Sequence, residues 1–529
     1  MTRAEKLSLL PTCALALAAA LAYAIDLGGF GIAPLSVLLL SVAAASLLVW
    51  SVPASQQDAS GDTIAWAGVV LFVLAAVARL GWPSLLPPGR GPDLTHHLLL
   101  VDYLEQHGQL VHDRALDGSM GEMAHYTPGA HLLAVLIGKW LGLDGVRTFF
   151  PLLAVCTALT AGYVVLIARR LRLPVSYGVV AVVLLFLPAQ YFYGAFTHDG
   201  FLAQTAATFF AVAAWWALVA WDQERSLVLS ITISILLVGV FLTWPIFVGP
   251  LAVVVAAMMI DGPVGQSRTG RLAIVLLPLL VVASTHIVGR WGWLAIVRTS
   301  GAVLEPGLSS LGWLLPLLTV IGLAISMRDR RARVSVILLM VIAVQTVTLF
   351  VLAMSRGAST PYMAFKMVYL AIYPAAVIAA VALSKADAKG VVGWLVAALL
   401  VLTAVPPAMT APRAVPVVDL DLYQAGKWVR ANVGQSCIDY LVADAETAYW
   451  LHLAVLGNPR SSARMEEIDH YEPNAAMAPW IAAAGRNYAI ASLPLLPGEV
   501  RSRVEIVRTF GLAAVIRRPG APDCPQAGS

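Results

Sequence analysis

The sequence predicts an all-α polytopic membrane domain of about thirteen transmembrane helices, followed by a small extracytoplasmic α/β domain. Three observations predict it. Hydrophobic residues make up 59% of the chain and charged residues 12%, where a soluble domain carries about 25% charge. Apolar runs able to cross a hydrocarbon core of about 30 Å recur from Leu7 to about Pro407. Beyond residue 411 the composition changes, and about a third of all charges fall there, which marks a region outside the membrane.

The spans are taken in order as 7–25, 30–50, 62–82, 147–168, 174–192, 200–221, 227–243, 245–260, 271–289, 309–326, 334–353, 366–383 and 390–408, within a domain of residues 1–410. The first follows Arg3 and Lys6 and reads as a retained signal anchor. With the N-terminus in the cytoplasm, the basic connections RRLRLP (169–174), WDQERS (221–226), MRDRRAR (327–333) and SKADAKG (384–390) share the cytoplasmic side, as the positive-inside rule requires. This needs the fourteen apolar residues 130–143, with His131 and Lys139, to lie on the membrane surface as a helix rather than cross. The loop 83–146 and the tail 411–529 are then extracytoplasmic. The net charge of +4 implies no nucleic-acid partner; the partner implied by composition is membrane lipid.

In the tail, YQAGKWVRANV and AETAYWLHLAVL read as helices. IDYLVA, NYAIAS and the two halves of VEIVRTFGLAAVIRR read as short strands. Cys437 and Cys524 lie here and, in an oxidising compartment, are candidates for a disulfide, the alternative being two free thiols. Cys13 and Cys156 fall in spans.

Ionisable groups at a membrane face are costly and mark candidate sites. GPDLTHH (91–97) places Pro92 and Asp93 in the first turn of a helix, with His97 one turn from Asp93 and His96 beside it. An acid with imidazoles serves as a general base or a divalent-metal site. HYTPGAH (125–131) adds His125 and Tyr126 in the same loop. FTHDG (196–200) adds His198 and Asp199, and MSRGASTPYMAFK (354–366) adds Arg356 and Lys366. Arg298 lies in the outer loop 290–308. Each has a plainer structural use: Asp93 complementing a helix dipole, Asp199 capping a helix, Lys366 and Arg356 snorkelling to the interface. Their gathering on one side of the membrane is what favours a site.

That order of parts resembles the GT-C glycosyltransferases, which include oligosaccharyltransferases, protein mannosyltransferases, the aminoarabinose transferase of lipid A and mycobacterial arabinosyltransferases. The resemblance rests on the span 62–82, the long outer loop opening at Asp93, the returning span 147–168, the turn RRLRLP, the second outer loop with His198 and Asp199, and the late cations Arg356 and Lys366. Neither outer loop holds an Asp-X-Asp motif, and two extra spans precede the matching region, about residues 62–410.

The resemblance implies transfer of a sugar from a polyprenyl-phosphate carrier to an acceptor hydroxyl on a glycan, glycolipid or protein, at the outer face of the cytoplasmic membrane, with inversion. It implies Asp93 as catalytic base. His96, His97, His125, Tyr126, His198 and Asp199 would contact substrate, and Arg356, Lys366 and Arg298 would hold the phosphate. Asp93, His97, His198 and Asp199 are the candidate ligands if a divalent cation, magnesium or manganese, takes part. Three other readings compete: a polysaccharide polymerase or ligase, a lipid or sugar transporter, and a non-catalytic scaffold presenting the tail. The absence of an internal repeat and the one-sided polar clusters weigh against the last two.

Overall fold

The computed structural model describes residues 1–52, 60–89, 92–260, 268–290, 301, 303–385, 387, 390–410, 418–433, 438–457 and 487–520. Arg298, Cys437 and Cys524 lie outside them, so the disulfide reading and one phosphate candidate do too. Cys13 and Cys156 are free and buried.

The main helices are α1 (Arg3–Leu27), α2 (Pro34–Trp50), α3 (Ser60–Gly81), α4 (Pro92–His107), α5 (Gly129–Leu141), α6 (Gly145–Arg170), α7 (Val175–Leu184), α8 (Leu202–Glu224), α9 (Leu227–Thr243), α10 (Val248–Ile260), α11 (Arg268–Gly289), α12 (Leu314–Ser326), α13 (Arg333–Ser355), α14 (Val368–Ser384) and α15 (Val391–Thr410). Among the described residues eight helices are long and apolar enough to cross a membrane, and six shorter apolar helices accompany them. The chain is a multi-pass membrane protein. Its centre is α6 and α8, buried on nearly every side. Leu, Val and Ile side chains of α2, α11, α13 and α15 face outward instead, as a lipid-contacting rim must.

The anchor helix α1 begins with a capping box: Glu5 N–H donates to Thr2 Oγ1 at 3.2 Å and Thr2 N–H to Glu5 Oε2 at 2.8 Å. Glu5 also accepts from Arg170 Nε at 2.5 Å, and Arg170 reaches on to Glu224. Asp62 accepts from Arg169 at 2.8 Å, and Asp222 from Arg225 at 2.7 Å and Arg333 at 3.2 Å. These pairs join the ends of α1, α3, α6, α8 and α13 into one charged layer, so the basic connections at 169–174, 221–226 and 327–333 do share one end of the bundle. A cavity of about 670 Å³ opens in that layer, remote from the clusters at the other end.

Three segments differ from the sequence expectation. The span expected over 174–192 is helical only to Leu184. Tight bonds from Leu185 to Val182 and from Phe186 to Val183 end it, and Pro188, which has no N–H to donate, precedes a π-turn at Gln190–Gly194. Gly312, at φ +69°, delays α12 to Leu314 rather than residue 309. Finally, α5, expected to lie on the membrane surface, is packed into the protein along its first two turns. Residues 129–136 are buried, packed among α1, α2, α4 and α6. Glycines permit this approach, since a side chain on Gly129 would strike the Leu242 carbonyl at 2.7 Å.

The tail forms a four-stranded sheet, β1 (Ile438–Leu441), β2 (Tyr488–Ser492), β3 (Glu505–Phe510) and β4 (Ala513–Arg517), in the order β1-β2-β4-β3. β1 and β2 are parallel, while β3 and β4 form a hairpin at Gly511, φ +54°. Helices α16 (Leu420–Asn432) and α17 (Ala445–Trp450) start on Asp419 and Asp444, each accepting a backbone N–H at 2.8 Å. The tail docks on α4: Arg430 grips buried Asp102 with both terminal nitrogens, one at 3.1 Å.

Candidate functional site

Helix α4 begins at Pro92, whose fixed φ suits a first turn, and Asp93 follows at its N-terminal end. The 198–200 loop comes close because Gly200, at φ +70°, carries no side chain. A Cβ there would sit 3.0 Å from that of Leu94, and one on Gly89 would sit 3.6 Å from the His198 carbonyl oxygen. Two loops that are more than a hundred residues apart in the chain thus share one wall.

The opposite wall is a stripe at i, i+4 and i+7: Tyr362, Lys366 and Tyr369. The Tyr362 hydroxyl donates to Asp93 Oδ2 at 3.4 Å, and the Tyr369 hydroxyl to Asp199 Oδ2 at 3.0 Å. Lys366 stands between them and feels both carboxylates. Its ammonium does not snorkel: Lys366 is 3% exposed. Nζ is 3.5 Å from the ring centroid of Phe201, 4.5 Å from that of Tyr362 and 5.0 Å from that of Trp244, within the range of cation–π attraction. Asp199 does not cap the next helix, which starts at Leu202 with no side-chain cap. It holds His198 Nδ1 at 2.9 Å instead, and that imidazole is exposed.

The other histidines form a supporting network. His97 Nδ1 shares a hydrogen bond of 2.9 Å with His131 Nε2 rather than with Asp93. Tyr126 packs edge-on against both rings. Burial lowers His97 to about 3 and His131 well below its usual value, so both are neutral. Burial likewise raises the Tyr126 hydroxyl well above its usual range. His96 shares hydrogen bonds of 2.6 Å with Glu122 and with Tyr449 of the tail. His125 faces Asp117 at 3.5 Å, in a separate part of the loop. Arg356 is exposed at the end of α13, and among the described residues it pairs with no member of the cluster. The structure therefore brings together Asp93, His198, Asp199 and Lys366, and sets Arg356 and His125 apart.

Among the described residues no three His, Cys, Asp or Glu side chains are grouped to hold a metal ion, and His97 is turned to His131.

No family model matches the sequence, and no curated protein is similar to it. Solved structures are similar. The crystal structure of ArnT from Cupriavidus metallidurans, bound to undecaprenyl phosphate, superposes with a TM-score of 0.50 at 14% identity, over 88% of this chain and 100% of that one. The chain shares the GT-C fold. The arabinofuranosyltransferase AftD from Mycobacteria, in its mutant R1389S, gives 0.50 at 13% identity over 86% of this chain, which spans only 41% of AftD. An oligosaccharyltransferase from Archaeoglobus fulgidus gives 0.48 at 15% identity, over 82% and 69%. In this GT-C fold the sequence signals for Asp93, Asp199 and Lys366 were visible. Tyr369, Phe201 and Trp244 carry no charge to mark them, although the spacing of YMAFKMVY (362–369) puts both tyrosines on the lysine's face.

Proposed function

We propose that the protein is a membrane glycosyltransferase that moves a sugar from a polyprenyl-phosphate donor to an acceptor hydroxyl by a single inverting displacement. The observation that carries this reading is the stripe Tyr362, Lys366 and Tyr369, which sets one buried cation between two loop carboxylates in a fold shared with an enzyme solved bound to undecaprenyl phosphate. The positive-inside rule favours the cytoplasm for the basic layer at the opposite end, and this supports an outer-face position for the site and the tail.

Asp93 accepts the acceptor's hydroxyl proton as that oxygen bonds to the anomeric carbon. The bond from that carbon to the phosphate oxygen breaks, and its electron pair leaves with the polyprenyl phosphate. Lys366 stabilises the charge gathering on that phosphate. Tyr362 and Tyr369 hold the two carboxylates, and His198 and Asp199 orient the acceptor. His97 and His131 stay neutral and shape the wall behind Asp93.

The test is release of polyprenyl phosphate from a panel of polyprenyl-phosphate sugars by purified protein, with the product's anomeric configuration read by NMR. Inversion supports the single displacement; retention would require a covalent intermediate and overturn it. A chelator arm decides whether a divalent cation takes part.

A further inference from the structure

A buried donor with nothing to accept from it lies beside the Lys366 ammonium. Lys366 Nζ has no carboxylate within ion-pair distance and no hydrogen-bond acceptor among the described residues. The indole N–H of Trp244, whose ring that ammonium covers at 5.0 Å, is buried and also lacks an acceptor. Trp66, Trp216 and Trp450 have unpartnered indole nitrogens as well, but Trp244 alone lies against the Lys366 box.

The backbone places it there deliberately. Pro245 disfavours helical geometry at the preceding residue, and Trp244 is extended, at φ −153° and ψ 93°, between α9 and a short 3-10 turn at Pro245–Phe247. The break is fixed by Thr127 Oγ1, which donates to the Thr243 carbonyl at 3.3 Å. Tyr126, on the same loop, packs against the Trp244 ring with centroids 6.0 Å apart. The indole is thus held between the loop that follows α4 and the lysine of the 362–369 stripe. A cation on a buried side chain beside a buried N–H that lacks an acceptor suits an oxyanion.

We propose that Trp244 is a ligand-binding residue whose indole N–H, together with Lys366, takes an oxygen of the phosphate group. This deepens the glycosyltransferase reading and rests on it. The shared chemistry is a phosphate oxygen, carried by a lipid headgroup or by free phosphate.

The experiment measures binding of undecaprenyl phosphate, undecaprenol and inorganic phosphate to the full-length protein in detergent. Wild type, Trp244→Phe, Trp244→His and Lys366→Met are compared. Phe keeps an aromatic ring and removes the N–H; His restores a ring N–H. The expectation is that Trp244→Phe binds undecaprenyl phosphate about 10- to 100-fold more weakly, the worth of a hydrogen bond to a charged group. Its undecaprenol affinity should stay unchanged, and Trp244→His should recover part of the loss. A packing role predicts the reverse order, with Phe the better replacement, so a Trp244→His variant weaker than Trp244→Phe overturns the proposal even if one of the two folds poorly. Wild-type affinity in Trp244→Phe alongside loss in Lys366→Met overturns the role of Trp244 and leaves the glycosyltransferase reading standing. Equal binding of undecaprenyl phosphate and undecaprenol by wild type overturns both. Displacement of the bound lipid by inorganic phosphate identifies a site for phosphate alone, and lack of displacement a headgroup site that needs the lipid.

Discussion

The ammonium of Lys366 lies 3.5 Å from the ring centroid of Phe201, in the interior of the protein rather than at its surface. A buried cation that touches no carboxylate is costly to keep, and an aromatic cage offsets only part of that cost. Its retention fits a group kept for binding. Lys366→Met, similar in volume, should therefore leave the melting temperature unchanged or higher while lowering transfer about 100- to 1,000-fold. Thermal melts and turnover on the same preparation check both halves. A less stable, fully active variant would assign Lys366 a structural role.

The Tyr369 hydroxyl donates to Asp199 at 3.0 Å. Tyr369→Phe should cost about 1.5 to 3 kcal/mol of stability, the range for a hydrogen bond to a charged group. Combined with Asp199→Asn, the loss should fall short of the sum of the two single losses, because both remove the same bond. Strict additivity in a double-mutant cycle would show that the two side chains do not cooperate.

Acid should destabilise the fold through His97 and His131. Burial lowers His97 to about 3, whereas an unfolded histidine titrates near 6.5. Between these values the unfolded chain binds more protons. Stability is thus complete above about pH 6.5 and falls as the pH drops, by up to about 1.4 kcal/mol per pH unit for each histidine. Melting curves from pH 7.5 to 5.0 measure the slope, and His97→Gln should flatten it.

The tail should be held to α4 by Asp102 and Arg430. Arg430→Met leaves Asp102 buried without its cation, with only Gln106 donating to it, which costs about 3 to 5 kcal/mol. The double variant Arg430→Met with Asp102→Leu should recover much of that loss. Limited proteolysis of the tail, together with melting, reads the effect.

Hydropathy alone located the helices because a lipid-facing or buried span must be apolar along its length. It overran at Pro188 and Gly312, where local backbone chemistry ends a helix inside an apolar run. It could not show that α5 packs into the protein, because a short apolar helix has the same composition whether it meets lipid or protein. Charge placement showed which polar residues share an end of the bundle. It could not show pairings that only packing decides. His97 prefers His131 to Asp93; His96 meets Tyr449, 353 residues away; and Trp244 enters the site through a kink whose direction the sequence does not state.

The most direct test of the central claim is release of polyprenyl phosphate from a sugar donor that the wild-type protein turns over, compared with Asp93→Asn. The substitution keeps the shape of the side chain and removes its basicity. The account predicts a fall of about 100- to 10,000-fold with an unchanged melting temperature. Release at the wild-type rate by the Asp93→Asn protein would contradict it and move the search for the base to Asp199.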